Sequence, residues 1–219
     1  MVDRPIMAVR RRDAGATRER ILSSARAVLN RDGASGLSTR SVATEAAVHL
    51  SLIHYYFESR EGLLLAVLER INQELLDRQR AMYRCEDLSL AEKWQQAIDF
   101  YRQDLASGYV RSLMELAGQG FANPRLGAAI RELMRGWRQL LKEVAAEALP
   151  RLGVTDISPA EVASAVVTYW YGMELQHSLG ITEDEGNLWK TVETLGRLIG
   201  RLETGGRQIR PAIPGQEEI

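Results

Sequence analysis

The sequence predicts an all-α fold: a three-helix helix-turn-helix head followed by a helical-bundle body, about nine helices in all. Three observations carry that expectation. Apolar residues recur at helical spacing through most of the 219 positions. Helix start and stop signals cut the pattern into segments. No alternating strand-like runs are joined by an Asn-Gly or Asp-Gly hairpin.

Taken in order, residues 1–16 hold Arg10, Arg11 and Arg12 and read as a flexible basic arm. Thr17 can cap a helix carrying Ile21, Leu22, Ala25, Val28 and Leu29 and ending near Gly33. Ser38 is the next cap, with Leu37 and Val42 placed as a hydrophobic staple. A third helix begins at His49 or its neighbour, burying Ile53 and Tyr56 or Phe57. Ser59 is then an N-cap, with Glu61 in the first turn of a long helix reaching towards Met82.

Further helices are predicted over 89–107 and 109–120. Asn123 and Pro124 start the next, since proline at the first helical position loses no needed hydrogen bond, and Pro150 and Gly153 close it. Ser158 to Glu161 reads SPAE, a capping box with proline at N1, opening a helix that runs to Gly180. The acidic run around Glu183, Asp184 and Glu185 reads as a charged surface link. The last helix carries Leu188 to Leu202, and residues 205–219 read as a loose tail. The domains expected are therefore the arm, a head over 17–60, a body over 61–204 and the tail.

Charge is unevenly placed along the chain. The net formal charge is -1, yet residues 1–60 hold ten Arg against six acidic residues, so a basic head precedes an acidic body. The single Cys85 excludes an intramolecular disulfide and a thiolate metal cluster, and fits a reducing, cytoplasmic setting. No apolar run approaches the ~20 residues needed to cross a bilayer, and no signal-peptide stretch opens the chain; no membrane partner is expected. Three His give no metal-ligand spacing, no Ser/His/Asp or Cys/His grouping is legible, and nothing calls for a cofactor or metal. An enzyme is not expected.

Two short helices meeting through EAAVHLS have the lengths and spacing of a helix-turn-helix, whose second helix fits a DNA major groove. On that arrangement Val42, Ala43, Val48, Ile53 and Phe57 point inwards. Leu50, Ser51, His54 and Tyr55 stay on or near the exposed side. Thr39 and Arg40, in the first turn of the preceding helix, can reach phosphates, and Arg60 is placed similarly beside the next helix start.

Residues 17–64 resemble the DNA-binding domain of TetR-type transcriptional regulators, on the run LSTRSVATEAAVHLSLIHYYFESREGLL and a preceding helix ending in Gly. The resemblance implies a recognition helix from about His49 to Tyr55, phosphate contacts from Thr39, Arg40 and His54 or Tyr55, and a support role for Arg60. Double-stranded DNA is the implied partner. The chain departs from the usual pattern at Ala47, where a turn glycine is common, at His49, where a capping Ser or Thr is usual, and at Leu50, where a polar residue is frequent. Ala47 suits the turn only at negative φ or under strain, and His49 is a poorer cap than Ser, which leaves the helix start to a Val48–Ile53 staple. Leu50 cannot pair with guanine but can pack on a thymine methyl.

The same resemblance implies a small-molecule effector in the body and a homodimer through the last two helices. Bulky, adaptable side chains fit an effector site: Met114, Phe121, Met134, Trp137, Tyr169, Trp170 and Met173, with polar handles from Tyr101, Gln119 and His177. The alternative for each is a plain core, where an aromatic or Met stripe at helical spacing belongs more often than in a pocket. Dimer contacts are expected from Val162, Val166, Leu188, Val192, Leu195 and Ile199, with Gly196, and Gly200 one turn on, allowing close helix crossing. The alternative is that both glycines face a helix of the same chain.

The resemblance therefore implies a ligand-responsive DNA-binding regulator, most often a repressor in such a family, released from a palindromic operator by a mostly apolar effector. A helical small-molecule-binding or protein-interaction protein without specific DNA binding stays open beside it.

Overall fold

The computed structural model describes the backbone of residues 4–208 and the side chains of residues 15–205. Ten helices and no strand occur among the described residues: α1 (Arg4–Gly36), α2 (Thr39–Glu45), α3 (Leu50–Phe57), α4 (Arg60–Tyr83), α5 (Leu90–Ala106), α6 (Tyr109–Gly120), α7 (Pro124–Arg151), α8 (Pro159–Ser178), α9 (Glu183–Gly186) and α10 (Leu188–Gln208). The all-helical expectation holds, with one short helix more than the pattern suggested. Residues 209–219 of the predicted tail lie outside the described residues, and Gly205 is within α10.

Local chemistry explains most boundaries. Ser38 caps α2 and exchanges hydrogen bonds with Ser41 in a capping box, while Leu37 and Val42 are fully buried beside it. The Asn123 side chain accepts from the N–H groups of Arg125 and Leu126 ahead of Pro124, and Ser158 and Glu161 form the predicted capping box of α8. Ser59 Oγ accepts from the N–H of Gly62 at the start of α4. The chain passes Pro150 by one residue before α7 ends, a proline that withholds a backbone donor from the last turn.

Two boundaries correct the sequence reading. The first helix extends back to Arg4, so Thr17 lies inside it rather than at its cap, and the backbone from Arg4 onwards is helical where a flexible arm was expected. Its far end agrees: Gly33 takes φ 72 and ψ 179 and breaks the helix. The acidic run is not a plain link. The Glu185 carboxylate accepts from the N–H and hydroxyl of Thr182, and Glu183 accepts from the N–H groups of Trp189 and Lys190 at 2.9 and 3.1 Å, capping α10. The spacing T-x-x-E at Thr182 was the legible signal.

The helices fall into two compact units, residues 1–75 with 103–133 and residues 76–102 with 134–219. In the first, Ile21, Val28, Leu29, Val42, Ile53 and Leu63 are almost wholly buried in the core of α1 to α4, and the Arg18 guanidinium lies 5.5 Å over the Phe57 ring. Helix α6 packs on α1, with Gly108 at φ 77 against the backbone of Asn30. In the second unit, Trp94 donates from Nε1 to the carbonyl of Val192 at 3.0 Å, joining α5 to α10. The Glu203 carboxylate accepts from the N–H groups of Leu90 and Ala91, so α10 caps α5.

Candidate nucleic-acid interface

Helix α3 is pinned on its inner side by Ile53, fully buried, and Phe57, buried; Leu50, Leu52 and Tyr56 are half-buried. His49, Ser51, His54 and Tyr55 are left on the outside. Tyr55 is 77% exposed, and its ring meets Tyr56 edge-on at 5.0 Å, which orients it without covering it. In the first turn of α2, Arg40 is exposed and Thr39 half-buried. The inward set predicted from spacing is found, apart from Val48, which is half-buried.

The turn between α2 and α3 runs through Ala47 at φ 48. This is left-handed backbone, which costs an L-residue with a Cβ about 1–2 kcal/mol. His49, in extended backbone, caps α3 after all: its imidazole accepts from the N–H of Ser51. Sequence reasoning undervalued this cap because Nδ1, two bonds beyond Cβ, has the reach of the Asn side-chain oxygen.

Arg60 makes contacts within the chain that its place at a helix start did not suggest. Its Nε donates to the carbonyl of Leu37 at 2.6 Å, and its terminal nitrogen to the carbonyl of Ala34. Two of the guanidinium's donors thus tie the start of α4 to the end of α1.

Gly62 was missed. A Cβ there would sit 2.1 Å from the carbonyl oxygen of Phe57, so α4 starts directly against the end of α3. The available signal was a glycine in the first turn of a strongly apolar helix, a position with a propensity cost that asks for a reason. Glu115 was missed too. Its carboxylate accepts from the N–H of Ala34 at 3.2 Å, and it is held in turn by Arg111 at 3.1 Å.

The body residues divide. Tyr101, buried, lies 5.1 Å from Trp170 and 5.9 Å from Trp189, and Trp170 meets Trp94 at 5.8 Å; these rings form an aromatic cluster of the second unit. Met173 is buried, and the Tyr169 hydroxyl donates to the carbonyl of Leu188. Met114, Met134 and Trp137 are half-buried. Phe121 is 93% exposed just past the end of α6, and His177 is exposed in the last turn of α8, so neither is enclosed as a pocket residue must be. Gln119 is exposed as well. Met114, Gln119 and Phe121 belong to the first unit and the others to the second. A groove of about 1610 Å³ in the second unit has Tyr83, Leu140, Val144 and Leu152 in its wall and none of the expected ligand residues. Burial pushes the Tyr83 phenol up to about 12.

The expected dimer residues are corrected in the same way. Leu188 and Val192 are buried within the chain, and Gly196 lies against Trp94, whose Cδ1 is 2.8 Å from where a Cβ would stand. Gly200 faces Ala91. Val162, Val166, Leu195 and Ile199 are half-buried. The large apolar residues left exposed here are Leu175 on α8, Leu179 just past its end, and Leu198 and Leu202 on α10. A helical pattern marks which positions are apolar, and the packing decides which of them the chain covers itself.

Among the described residues no group of three or more His, Cys, Asp or Glu is arranged to hold a metal ion, and no helix is long and apolar enough to cross a membrane.

A capped turn that presents the outer face of a short second helix, ahead of an all-helical body, defines a helix-turn-helix DNA-binding regulator. Residues 21–67 match the family described as bacterial regulatory proteins, tetR family. Over 159 residues the chain is 30% identical to an HTH-type transcriptional regulator in the dhlA 5′ region of Xanthobacter autotrophicus, covering 72% of this chain and 77% of that one. It is 38% identical over 63 residues to the HTH-type transcriptional repressor NicS of Pseudomonas putida, 29% of this chain and 30% of that one. A TetR transcription regulator from Haloarcula marismortui superposes with a TM-score of 0.67 at 18% identity, covering 87% of this chain and 98% of that one. FadR from Bacillus subtilis, solved in complex with stearoyl-CoA, superposes at 0.65 with 16% identity, covering 83% and 96%. The chain belongs to the TetR family of transcriptional regulators, which are DNA-binding and non-catalytic.

Proposed function

We propose that this regulator represses transcription from a palindromic operator in the cytoplasm and is released by a small, mostly apolar effector. The observation that carries the reading is the outer face of α3, where His49, Ser51, His54 and Tyr55 are exposed while Ile53 and Phe57 hold the helix to its core. In this reading residues 17–60 are the DNA-binding domain, Thr39 and Arg40 contact phosphates, and Leu50 meets a thymine methyl. Residues 61–204 form the effector-binding and dimerisation domain.

A homodimer presents two copies of α3 to half-sites one or more helical turns apart. Leu175, Leu179, Leu198 and Leu202 supply apolar surface for it, with the half-buried Val162, Val166, Leu195 and Ile199 beside them. The effector is received by the second unit. Gln79 supports one polar group on it, because its Oε1 is buried with no hydrogen-bond partner among the described residues. The P. putida relative, named a repressor, and the stearoyl-CoA in the B. subtilis structure support repression and an apolar effector. Effector binding shifts the population of dimers with DNA-compatible spacing, a coupling of ~1–3 kcal/mol.

Fluorescence anisotropy against the DNA flanking the regulator's own gene, and against scrambled DNA at matched salt, tests the reading. A specific complex is expected; equal affinity for both sequences excludes that operator. Native mass spectrometry of the freshly purified protein reads subunit number and any retained molecule together, and a monomer would defeat the mechanism.

A further inference from the structure

Two exposed imidazoles stand on the recognition helix, and the chain's own hydrogen bonds decide which nitrogen of each carries the proton. The backbone N–H of Ser51 points at His49 Nδ1 at 3.4 Å. An amide N–H only donates, so Nδ1 of His49 carries the lone pair and the neutral ring keeps its proton on Nε2. The Ser51 hydroxyl lies 2.8 Å from the same nitrogen and donates to it as well. At His54 the polarity is reversed. Its Nδ1 lies 3.2 Å from the carbonyl oxygen of Glu58; a carbonyl only accepts, so Nδ1 bears the proton and Nε2 is left with the lone pair. Glu58 sits at φ 63, and its N–H donates to the carbonyl of His54. Both backbone groups of that left-handed residue therefore return to His54, which holds the imidazole in one orientation.

We propose that α3 reads its half-site with two fixed and opposite polarities, a donor at His49 Nε2 and an acceptor at His54 Nε2. In the major groove an acceptor is matched by the amino group of adenine or of cytosine. Phosphate oxygens only accept, so neutral His54 is a base reader and not a backbone contact. The His49 N–H matches guanine O6, thymine O4 or a purine N7. Ser51, whose hydroxyl is committed to His49, is a positioning residue that fixes the tautomer of its neighbour. This assignment rests on α3 being the DNA-contacting helix and adds the base class each imidazole selects.

Two measurements on the full-length protein test it. Long-range nitrogen–proton correlation spectra are expected to show His54 protonated on Nδ1 and His49 on Nε2 in the neutral rings. Selection from a random duplex library gives the preferred site. His54→Ala, which removes the acceptor, is expected to bind that site but to lose about fivefold or more of its preference for adenine or cytosine at one position. The remaining positions stay as in the parent. A His54 protonated on Nε2, or a His54→Ala preference unchanged at every position, overturns the assignment. A library in which the parent protein enriches no sequence overturns the DNA reading itself, which separates the two failures. The spectra are taken on the parent protein, so the test stands even where His54→Ala does not fold.

Discussion

The carboxylate of Glu115 accepts a hydrogen bond from the backbone N–H of Ala34 at 3.2 Å, so a side chain on α6 closes the end of α1. Gly33 makes this necessary, because its φ of 72 breaks the helix and frees the next N–H in a place where Ala34 is fully buried. Removing the acceptor in Glu115→Ala leaves that donor unpaired and is expected to cost about 1–3 kcal/mol in urea unfolding. Glu115→Gln keeps an acceptor and is expected to lose less than half as much. Equal losses in the two variants would show that the ion pair with Arg111 carries the effect instead.

Ala47 holds the helix-turn-helix bend in left-handed backbone. Ala47→Gly removes the Cβ conflict and gives part of the gain back as unfolded-state entropy, for a net increase of about 0.5–1 kcal/mol. A higher urea midpoint at unchanged slope checks it. A lower midpoint would mean that the bend carries no strain.

Gly62 admits no side chain, since the Cβ would fall 2.1 Å from a backbone oxygen that cannot swing aside. Gly62→Ala forces α4 away from α3 and is expected to cost at least about 3 kcal/mol. Circular dichroism and DNA titration read the loss together. A change within about 0.5 kcal/mol, the range of an ordinary surface substitution, would refute the close approach.

Glu183 gives the second unit an acid-sensitive joint. Its carboxylate is held below the ordinary value of 4.5 first by the backbone N–H of Trp189, and then by the N–H and charge of Lys190. A depressed folded-state pKa means stability that is fully present above 4.5 and is lost as pH falls from there through the lower folded value. Urea midpoints of the parent protein should therefore fall on acidification below 4.5. Glu183→Gln should lose part of that dependence, and an unchanged acid slope would remove Glu183 from the account.

The exposed leucines carry the proposed dimer. Leu175→Glu together with Leu202→Glu places charge on both helices without touching the buried Val192 or Trp94–Gly196 contacts. Native mass spectrometry is expected to show monomer, with helical content retained and specific DNA affinity reduced at least about tenfold. A persisting dimer would move the interface elsewhere.

Capping in this protein was legible without coordinates wherever donor and acceptor lie within four residues of each other. Ser38 with Leu37 and Val42, Ser158 with Glu161, and Asn123 with Pro124 all formed as their spacing predicted. The three-helix head was legible for the same reason, since its core positions repeat at helical period over a short span. The cap at His49 and the box at Thr182 were present in the residues but were given too little weight.

The remaining features depend on partners far apart in the chain. Trp94 and Gly196 meet through packing, and so do Arg60 with Ala34 and Glu115 with Ala34. By itself the sequence determined that this is an all-helical protein with a helix-turn-helix head, because helix starts and apolar stripes are local properties of the chain. Only the tertiary structure decided that Arg60 is a strut, that Val192 and Gly196 face inwards, and that Leu175, Leu179, Leu198 and Leu202 remain outside. An apolar stripe states that a helix must be covered, and what covers it is settled by which helices pack together.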